Sequence, residues 1–444
     1  MYDMNIIFVE NRYRTLFWRR VADALVRDGH NVAFITQNKN FRSWGFKEYV
    51  IPYPGKDIES LNFPIERFSE QIKSDRNINY FRHRGTAHYA YYASEIERIL
   101  DDFKPEIVFG ESTAFHELIT IELCKQRRVL YLQPSTVRYP TGRFSFYKYD
   151  TLEPYLGSKE NLDEKKADLI IKSIITRKVI PDVMRKPKVS LDSKIHRLME
   201  LISLTTSYFE GEHFNTPSPL VKREIENRKN KLRKKWDTLA FSQTENVKTK
   251  FKVLYPMHMQ PEANLDVWGR KHRDQLETIR ALVKYTDSDV EIVIKPNPKS
   301  KYELTEELIS FIQKNERCRF VAHNVSMGET LAKVDAVVTV TGTVAIECIL
   351  ANKPVLTLVK TLNNTNNNCI YLDDIAEIGK WIECIKMNQF PSIDDKGKLD
   401  FINLLMKTSY VGKPYQTDLD DKNLNNCILG FRDVISKHSA KSVD

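Results

Sequence analysis

Short apolar runs rich in β-branched residues alternate with longer amphipathic stretches through the first third of the chain. The run 5–9 is apolar throughout and predicts a strand. The stretch 13–27 carries apolar residues at helical spacing on one face, and Gly29 ends that helix before a second strand over 31–36. The same criteria predict strands at 48–52, 107–110 and 129–132 and helices at 86–103 and 114–126.

The alternation resumes at Phe251 and predicts a second unit of the same kind. Strands separated by helices indicate an α/β fold with a parallel sheet covered on both faces. The first half carries no Gly-rich dinucleotide fingerprint, so the pattern favours GT-B over a dehydrogenase. In GT-B, two Rossmann-like doubly wound domains face a cleft. Strands are predicted at 252–256, 290–294, 319–321, 336–340 and 355–358, and helices at 274–285, 302–314, 326–332 and 344–350.

The predicted domain organisation has four parts. An N-terminal Rossmann-like domain covers 1–150, and a charged, mostly helical insertion or linker covers 151–250. A C-terminal Rossmann-like domain covers 251–400. The helical pattern in 401–444 predicts helices that pack back towards the N-terminal domain.

The composition is that of a globular protein, with 41% hydrophobic and 29% charged residues. No run of about 18 apolar residues occurs, and the first residues lack the basic and then apolar profile of a secretory signal. We therefore expect a cytoplasmic protein. The six cysteines show no CxxC spacing, which predicts structural thiols rather than a metal or redox site.

The net charge of +9 is partly concentrated in a basic run over 228–235. No aromatic residue interleaves this run and no nucleic-acid-binding motif accompanies it, so we expect no nucleic-acid partner. Two interpretations remain open. The run is either a solvated helix face or a contact with an anionic membrane surface, at the inner face of the cytoplasmic membrane.

The strongest candidate site is a turn between a predicted buried strand and a helix. Thr341, Gly342 and Thr343 form the turn, and Glu347 follows one helical turn later. Gly342 allows close approach of a ligand to the backbone, while hydroxyls and free N–H groups at a helix start suit phosphate. The Glu347 carboxylate suits two ribose hydroxyls. The alternative is a simple helix cap by Thr343, although a spacing of four to Glu347 does not match a capping box.

Two further predicted strand ends carry polar residues. His258, Gln260 and Glu262 alternate, and in an extended chain this spacing places all three side chains on one side. A histidine, an amide and a carboxylate together suit a proton-transfer or nucleophilic step on a charged donor. Lys295 opens a Lys-Pro-Asn-Pro loop containing Asn297, where it could neutralise a phosphate or carboxylate. A stiff surface turn is the alternative there.

In the first half, Glu111 follows a predicted strand and would face the cleft, where a base deprotonates an acceptor hydroxyl. The alternative is a helix cap by its hydroxyl neighbours, with Glu111 as a bystander. Arg138 and Arg143 follow the next strand, and Arg12 and Arg14 follow the first. We expect these four arginines to bind an acidic acceptor.

Several of these segments resemble the capsule-polysaccharide-biosynthesis family, which includes the bacterial β-Kdo transferases. Residues 110–112 and 139–147 resemble it less specifically. The segments that carry the resemblance are His258-Met259-Gln260-Pro261-Glu262-Ala263, Lys295-Pro296-Asn297-Pro298, the stretch from Thr339 to Glu347, and Asn352-Lys353-Pro354-Val355.

The resemblance implies a metal-independent GT-B enzyme that uses a CMP-activated 3-deoxy-2-ulosonic acid, Kdo or a related nonulosonic acid. The acceptor would be a growing saccharide or glycolipid. Glu262 takes the catalytic acidic position, Lys295 lies against the phosphate, and the nucleotide is held by Thr341, Gly342, Thr343 and Glu347. Two departures weigh against Kdo itself: Asn297 replaces the family's usual His, and Glu262 stands where Kdo transferases carry Asp.

The reaction type is an expectation of the same kind. Glu262 would act as nucleophile in a retaining double displacement, and an inverting attack with Glu262 as base stays open. No Asp-x-Asp cluster follows a predicted strand, so we expect neither a metal nor another cofactor. Two rival functions remain. A CDP-polyol phosphotransferase of the teichoic-acid type would need a second histidine beside His258, for which His323 is the candidate, and the other rival is a non-catalytic sugar-nucleotide-binding scaffold.

Overall fold

The computed structural model describes residues 3–55, 64–184, 191–243, 251–415 and 419–441. Parts of the predicted linker, 185–190 and 244–250, lie outside the described residues. The strands are β1 Asn5–Val9, β2 Asn31–Thr36, β3 Lys47–Val50, β4 Ile107–Phe109, β5 Leu130–Thr136, β6 Arg143–Lys148, β7 Phe251–Pro256, β8 Val290–Lys295, β9 Cys318–Phe320, β10 Ala336–Thr339, β11 Val355–Thr357, β12 Cys369–Tyr371 and β13 Tyr410–Val411.

Helices occupy most of the remaining described chain. Short 3-10 helices lie at Lys39–Phe41, Ile65–Phe68, Asp182–Met184, Arg270–His272, Leu362–Thr365 and Ile375–Glu377. The α-helices are α1 Thr15–Arg27, α2 Ser69–Ser74, α3 Arg76–Tyr80, α4 Ala87–Phe103, α5 Phe115–Arg127, α6 Glu164–Ile175, α7 Leu191–Phe209, α8 Pro219–Ser242, α9 Ala263–Asp266, α10 Gln275–Lys284, α11 Glu306–Lys314, α12 Met327–Leu331, α13 Val344–Leu350, α14 Ile378–Lys386, α15 Asp395–Lys407 and α16 Asp421–Lys441.

The chain divides into two compact units, each built around one sheet. Unit 1 comprises residues 1–162, 180–222 and 404–444, and unit 2 comprises 163–179 and 223–403. The stretch 151–250, predicted as a single linker, is therefore distributed between the two units. Residues 163–179, which include α6, pack with unit 2 because α6 contacts α13.

The sheet of unit 1 has the strand order β13-β6-β5-β4-β1-β2-β3. Strands β1 to β5 pair in parallel, whereas β6 pairs antiparallel with β5 and with β13. The sequence pattern predicted parallel pairing alone. The loop from β5 to β6 is too short for a crossover helix, so the chain returns as a hairpin. Phe431 and other apolar residues of α16 join the core of this sheet.

The sheet of unit 2 is fully parallel, with the order β12-β11-β10-β7-β8-β9. Its core also includes Leu232 and Trp236 of α8. The sequence predicted a charged helical linker here, yet one face of α8 packs in the core of unit 2. The basic residues occupy the other face, which leaves Trp236 free to pack inward and donate its indole N–H to the Val321 carbonyl at 2.9 Å.

Both sheets confirm the predicted α/β fold with two doubly wound units. Helix bounds differ from the prediction where a cap decides them. Helix α11 begins at Glu306 rather than near 302, because Thr305 accepts a hydrogen bond from the Leu308 N–H at 3.0 Å. Among the described residues, no helix is both long and apolar enough to cross a membrane.

Candidate functional site

The carboxyl ends of β7, β8 and β10 lie side by side in unit 2 and carry three predicted site residues. Pro256 at the end of β7 pairs with Lys295 at the end of β8, and β10 lies on the other side of β7. The Thr341 N–H, just after β10, lies 3.5 Å from Nε2 of His258. His258, Lys295 and Thr341 therefore share one sheet edge, where ligands bind in open parallel sheets.

The turn after β10 is shaped by its backbone. The Gly342 N–H donates to Oγ1 of Thr339 at 3.1 Å, and a Cβ on Gly342 would collide with that same oxygen. Thr341 donates its hydroxyl to the Asn264 carbonyl at 3.0 Å. Thr343 precedes α13, but its side chain caps none of the described N–H groups. The simple helix-cap interpretation of Thr343 is therefore wrong.

The loop after β7 does not place His258, Gln260 and Glu262 on one side. Gln260 is 5% exposed and its amide is fully used inside unit 2. Its Nε2 donates to Oδ1 of Asp266 at 2.8 Å and to the Arg273 carbonyl at 3.0 Å, while its Oε1 accepts from Gln275 at 2.9 Å. Gln260 therefore shapes the loop from within instead of facing a donor.

Glu262 is partly exposed at the start of α9. Its backbone N–H donates to Oδ2 of the buried Asp266 at 2.9 Å. Since Asp266 also holds Gln260, this aspartate fixes the backbone that carries Glu262. Gln275 completes the support by bonding both backbone groups of His258, at 2.8 and 2.9 Å. Asp266 and Gln275 were not predicted, because neither follows a strand.

Lys295 is a buried cation. It is 1% exposed, and its Nζ has no hydrogen-bond partner among the described residues. Burial lowers the pKa of Lys295 to about 8, although Asp237 and Glu329 act in the opposite direction. An ammonium without a partner at a strand end is suited to an anionic ligand, since burying a charge unpaired is unfavourable.

Asn297, by contrast, builds the turn after β8. Its Oδ1 accepts from the Lys299 N–H at 2.9 Å, and its carbonyl accepts from the Ser300 N–H at 2.9 Å. This side chain is partly buried. The predicted donor-binding role of Asn297 therefore competes with a turn-forming role that its hydrogen bonds already fill.

Glu347 is paired with a residue that the sequence did not indicate. Its side chain is 8% exposed and forms an ion pair and hydrogen bond with Arg177, which follows α6. Arg177 also lies close enough to Lys295 to lower the pKa of that lysine. Arg177 falls within the stretch predicted as a linker, where no spacing pointed to it. Lys295, Arg177 and Glu347 thus form one group of neighbouring charges in unit 2.

His323 is held by the protein at both ring nitrogens. Nδ1 lies 2.8 Å from Oδ1 of Asp237, and Nε2 lies 3.1 Å from Oγ of Ser300. Burial lowers the pKa of His323 despite the neighbouring Asp237. A histidine bonded at both nitrogens has a structural role in this conformation.

In unit 1, Glu111 and Arg14 form a close ion pair. Nε of Arg14 lies 2.5 Å from Oε1 of Glu111, and both side chains are largely buried. Burial raises the pKa of Glu111 to about 7, which Arg14 opposes and Glu117 reinforces. Glu117 is the residue that caps α5, since its carboxylate accepts from the N–H groups of Thr113 and Ala114. Glu111 is thus not merely beside a cap but has a pKa suited to a base near neutral pH.

The other predicted arginines of unit 1 have different surroundings. Arg143 is 6% exposed, and its guanidinium bonds Ser409 and Ser158 side chains and pairs with Glu160. The prediction that Arg143 binds an acceptor is corrected, because β6 carries this side chain into the interior as a clamp. Arg138 is partly exposed in the loop before β6. Arg12 lines a pocket described below.

Neither metal nor disulfide sites are found in the described part of the chain. No group of three or more His, Cys, Asp or Glu side chains there could hold a metal ion. All six cysteines are unbridged, and five are buried. Burial raises the pKa values of Cys124, Cys318, Cys348 and Cys369, which agrees with structural thiols.

Two doubly wound units, one of which carries charged residues at a strand-end edge, define an α/β protein of the GT-B type. Residues 196–365 match the family model described as "Capsule polysaccharide biosynthesis protein". This match spans the motifs around Glu262, Lys295 and Thr341 and confirms the resemblance that the sequence indicated. It covers less than half of the chain and does not reach Glu111. Among curated proteins, no sequence matches the chain.

The comparison with solved structures found matches of low identity and low TM-score. A β-Kdo 2,4 transferase, KpsC from Thermosulfurimonas dismutans, is 12% identical with a TM-score of 0.35, over 73% of this chain and 87% of that one. UDP-GlcNAc 2-epimerase from Methanocaldococcus jannaschii is 14% identical with a TM-score of 0.28, over 91% and 99%. MurG from Acinetobacter baumannii is 8% identical with a TM-score of 0.27, over 98% and 100%.

Proposed function

We propose that the chain is a glycosyltransferase that moves a 3-deoxy-2-ulosonic acid, Kdo or a related nonulosonic acid, from CMP to a surface saccharide or glycolipid. One observation carries the proposal most. The buried Lys295, whose Nζ has no hydrogen-bond partner among the described residues, lies near Arg177 and on the same sheet edge as Thr341. Lys295 and the Thr341 turn belong to the segment that matches the capsule family. Two neighbouring cations suit a donor that carries both a phosphate and a sugar carboxylate.

The donor is held by charge complementarity. Lys295 and Arg177 stabilise the phosphate as negative charge develops on the departing CMP, since fixed cations in a buried site stabilise such charge strongly. Glu347 takes two ribose hydroxyls and orients Arg177 through their ion pair. Gly342 permits the close turn, because a side chain there would collide with Thr339, and its lack of a side chain lets a nucleotide approach the backbone.

The transfer is a retaining double displacement. The Glu262 carboxylate attacks the anomeric carbon while the bond to the phosphate oxygen breaks and CMP leaves with the electron pair. The acceptor hydroxyl then gives its proton to a general base, attacks the same carbon, and releases Glu262. A pKa of about 7 makes Glu111 a suitable base for this step. No metal takes part, and the cations of the chain balance the phosphate charge.

The acceptor is a growing saccharide or a glycolipid at the inner face of the cytoplasmic membrane. The exposed basic face of α8 includes Arg228, Lys231 and Lys234, which supports contact with anionic lipids. Other residues of the run are already engaged, because Lys235 pairs with Glu306 at 2.5 Å. Membrane contact is therefore assigned to the solvent-facing residues alone.

The bonding of His323 favours this function over the phosphotransferase. That rival needs two histidines available to the donor, and both ring nitrogens of His323 are already hydrogen-bonded. The scaffold alternative would also bind a nucleotide at Lys295, so it differs from the proposed function in lacking transfer. Thermal-shift measurements with CMP, CDP and UDP test the donor. We expect stabilisation by CMP, whereas CDP preference would favour the phosphotransferase, and stabilisation without transfer would favour the scaffold.

Product analysis completes the test. The full chain is incubated with CMP-Kdo or a CMP-sialic-acid-type donor and a saccharide acceptor, and the anomeric configuration of the product is determined. Retention with either donor supports the double displacement. Inversion would overturn the nucleophilic role of Glu262, and no transfer from any CMP-activated acid would overturn the proposed donor class.

A further inference from the structure

A second polar pocket lies wholly within unit 1, at the carboxyl ends of β1 and β2. It encloses about 340 Å³, including space open to solvent. Glu10 and Arg12 come from the loop after β1, Gln37 follows β2, Arg76 begins α3, and Thr216 follows α7. Of these residues, Arg12 alone was predicted as a site residue from its position after a strand.

The floor of this pocket is a rigid hydrogen-bonded network. Oε2 of Glu10 accepts from the Asn38 N–H at 3.0 Å, and the Glu10 carbonyl lies 2.8 Å from Nε2 of His116. Asn215 lies 3.0 Å from Nδ1 of His116 and donates to Oε1 of Gln37 at 3.0 Å. The network joins the ends of β1 and β2 and the start of α5 to the segment after α7, so the pocket is formed before any ligand arrives.

Two arginines, Arg12 and Arg76, line the pocket, and Glu200 and Glu212 lie near enough to Arg12 to act on its charge. Burial, reinforced by Arg76, lowers the pKa of Arg12 only to about 10, so the Arg12 guanidinium stays charged at neutral pH. Burial raises the pKa of Glu10 to about 8, which leaves this carboxyl neutral beside the two arginines. Nε of Arg12 lies 3.5 Å from Glu200, whereas Arg76 has no ion-pair partner among the described residues.

One threonine hydroxyl that lines the pocket is not used by the hydrogen bonds of the described chain. Thr216 is 4% exposed, and its Oγ1 has no hydrogen-bond partner within the described chain. A buried polar atom without a partner is uncommon in folded proteins and calls for an explanation. A ligand that brings hydroxyl groups into the pocket would satisfy it.

We propose that this pocket binds the anionic end of a hydroxyl-rich ligand, an acidic sugar unit of the acceptor, between Arg12, Arg76 and Thr216. The assignment as acceptor rests on the proposed function, but the binding itself does not. The two guanidinium groups recognise the carboxylate or phosphate by charge-assisted hydrogen bonds. The Thr216 hydroxyl and the neighbouring amides recognise the sugar hydroxyls.

Ligand-observed saturation-transfer NMR on the full chain tests the proposal, with glucuronate, glucose 1-phosphate and glucose as probes. We expect transfer to at least one anionic probe and none to glucose. The better anionic probe then identifies a carboxylate or a phosphate as the recognised group. Arg12→Gln and Arg76→Gln should each weaken binding about tenfold or more, and Thr216→Val about threefold.

Arg20→Gln is the matched control, since Arg20 is exposed on α1 and outside the pocket. Melting temperatures show whether each variant is folded. The proposed binding site would be refuted if glucose bound as well as the anionic probes, or if neither anionic probe bound. It would also be refuted if folded Arg12→Gln and Arg76→Gln bound the probes unchanged. CMP binding measured on the same samples keeps the two proposals apart. If CMP binds and the anionic sugars do not, only the proposed sugar-binding pocket is refuted. If the sugars bind and CMP does not, only the proposed donor is refuted.

Discussion

Arg177 and Glu347 form an ion pair within unit 2, although 170 residues separate them in the chain. The contact brings the segment after α6 against α13, and the aliphatic part of Arg177 also lies beside Gly328. A partly buried pair of this kind holds a guanidinium in a defined orientation, which a solvated arginine would lack. The turn at Thr341 thereby gains a cation from a distant part of the sequence.

Arg177→Ala should weaken CMP binding about tenfold, because it removes one of two cations beside the phosphate and leaves Glu347 without its partner. Arg177→Lys should lose less CMP affinity than Arg177→Ala, because lysine keeps the positive charge although it lacks the planar guanidinium. Isothermal titration with CMP measures both. Lys172→Ala, a change at an exposed position of α6, is the control, and equal affinity in Arg177→Ala and Lys172→Ala would refute a role in donor binding.

Glu262→Gln and Glu347→Ala should separate chemistry from binding. The first removes the nucleophile and should lower kcat about a thousandfold or more while CMP still binds. Glu347→Ala should weaken CMP binding more than it lowers kcat, because it removes the carboxylate that binds the ribose hydroxyls. Steady-state kinetics with parallel CMP titration gives both values. Near-normal turnover in Glu262→Gln would show that the catalytic role is assigned to the wrong residue.

A plot of kcat/KM against pH should be bell-shaped, with an acid limb near pH 7 and an alkaline limb near pH 8. Glu111 must be ionised to accept a proton, so kcat/KM rises as pH increases through its pKa of about 7. Lys295, which faces Asp237, Glu329 and Arg177, must be charged to bind phosphate, so kcat/KM for the donor falls above about 8. Lys295→Arg should move the alkaline limb to higher pH, and a limb left in place would assign it to another group.

Arg143→Ala should lower stability rather than acceptor affinity. The change leaves buried partners, Ser409 and the Met406 carbonyl, without their donor, which costs about 3 kcal/mol. Urea unfolding measures the loss, and KM for the acceptor should stay constant in the folded fraction. Arg138→Ala, in the partly exposed loop before β6, is the comparison, with little expected effect on stability. A raised acceptor KM without loss of stability in Arg143→Ala would restore its predicted binding role.

Transfer should persist after treatment with EDTA, since Lys295 and Arg177 supply the positive charge that a divalent metal would otherwise provide at the phosphate. The measurement is the initial rate before and after chelation and gel filtration, with added Mg²⁺ and Mn²⁺ as controls. A rate that disappears with EDTA and returns with either metal would contradict the metal-independent mechanism.

Strand and helix positions followed from sequence because they depend on short-range patterns. The apolar runs predicted β1, β2 and β8 closely, and Gly29 was predicted to end α1. Errors arose where another part of the chain intervened. Strand β6 runs antiparallel, and Trp236 gives a charged helix a buried face, neither of which local spacing encodes.

The sequence by itself determined two α/β units, the turn at Gly342 and the cation at Lys295, because periodicity and strand-end position are local properties of the chain. Only the tertiary structure decided which charged groups meet. It paired Arg177 with Glu347, turned Gln260 inward onto Asp266, and used Arg143 as a buried clamp. Side-chain partners depend on contacts between residues far apart in the chain, and such contacts exist only after the sheets have packed.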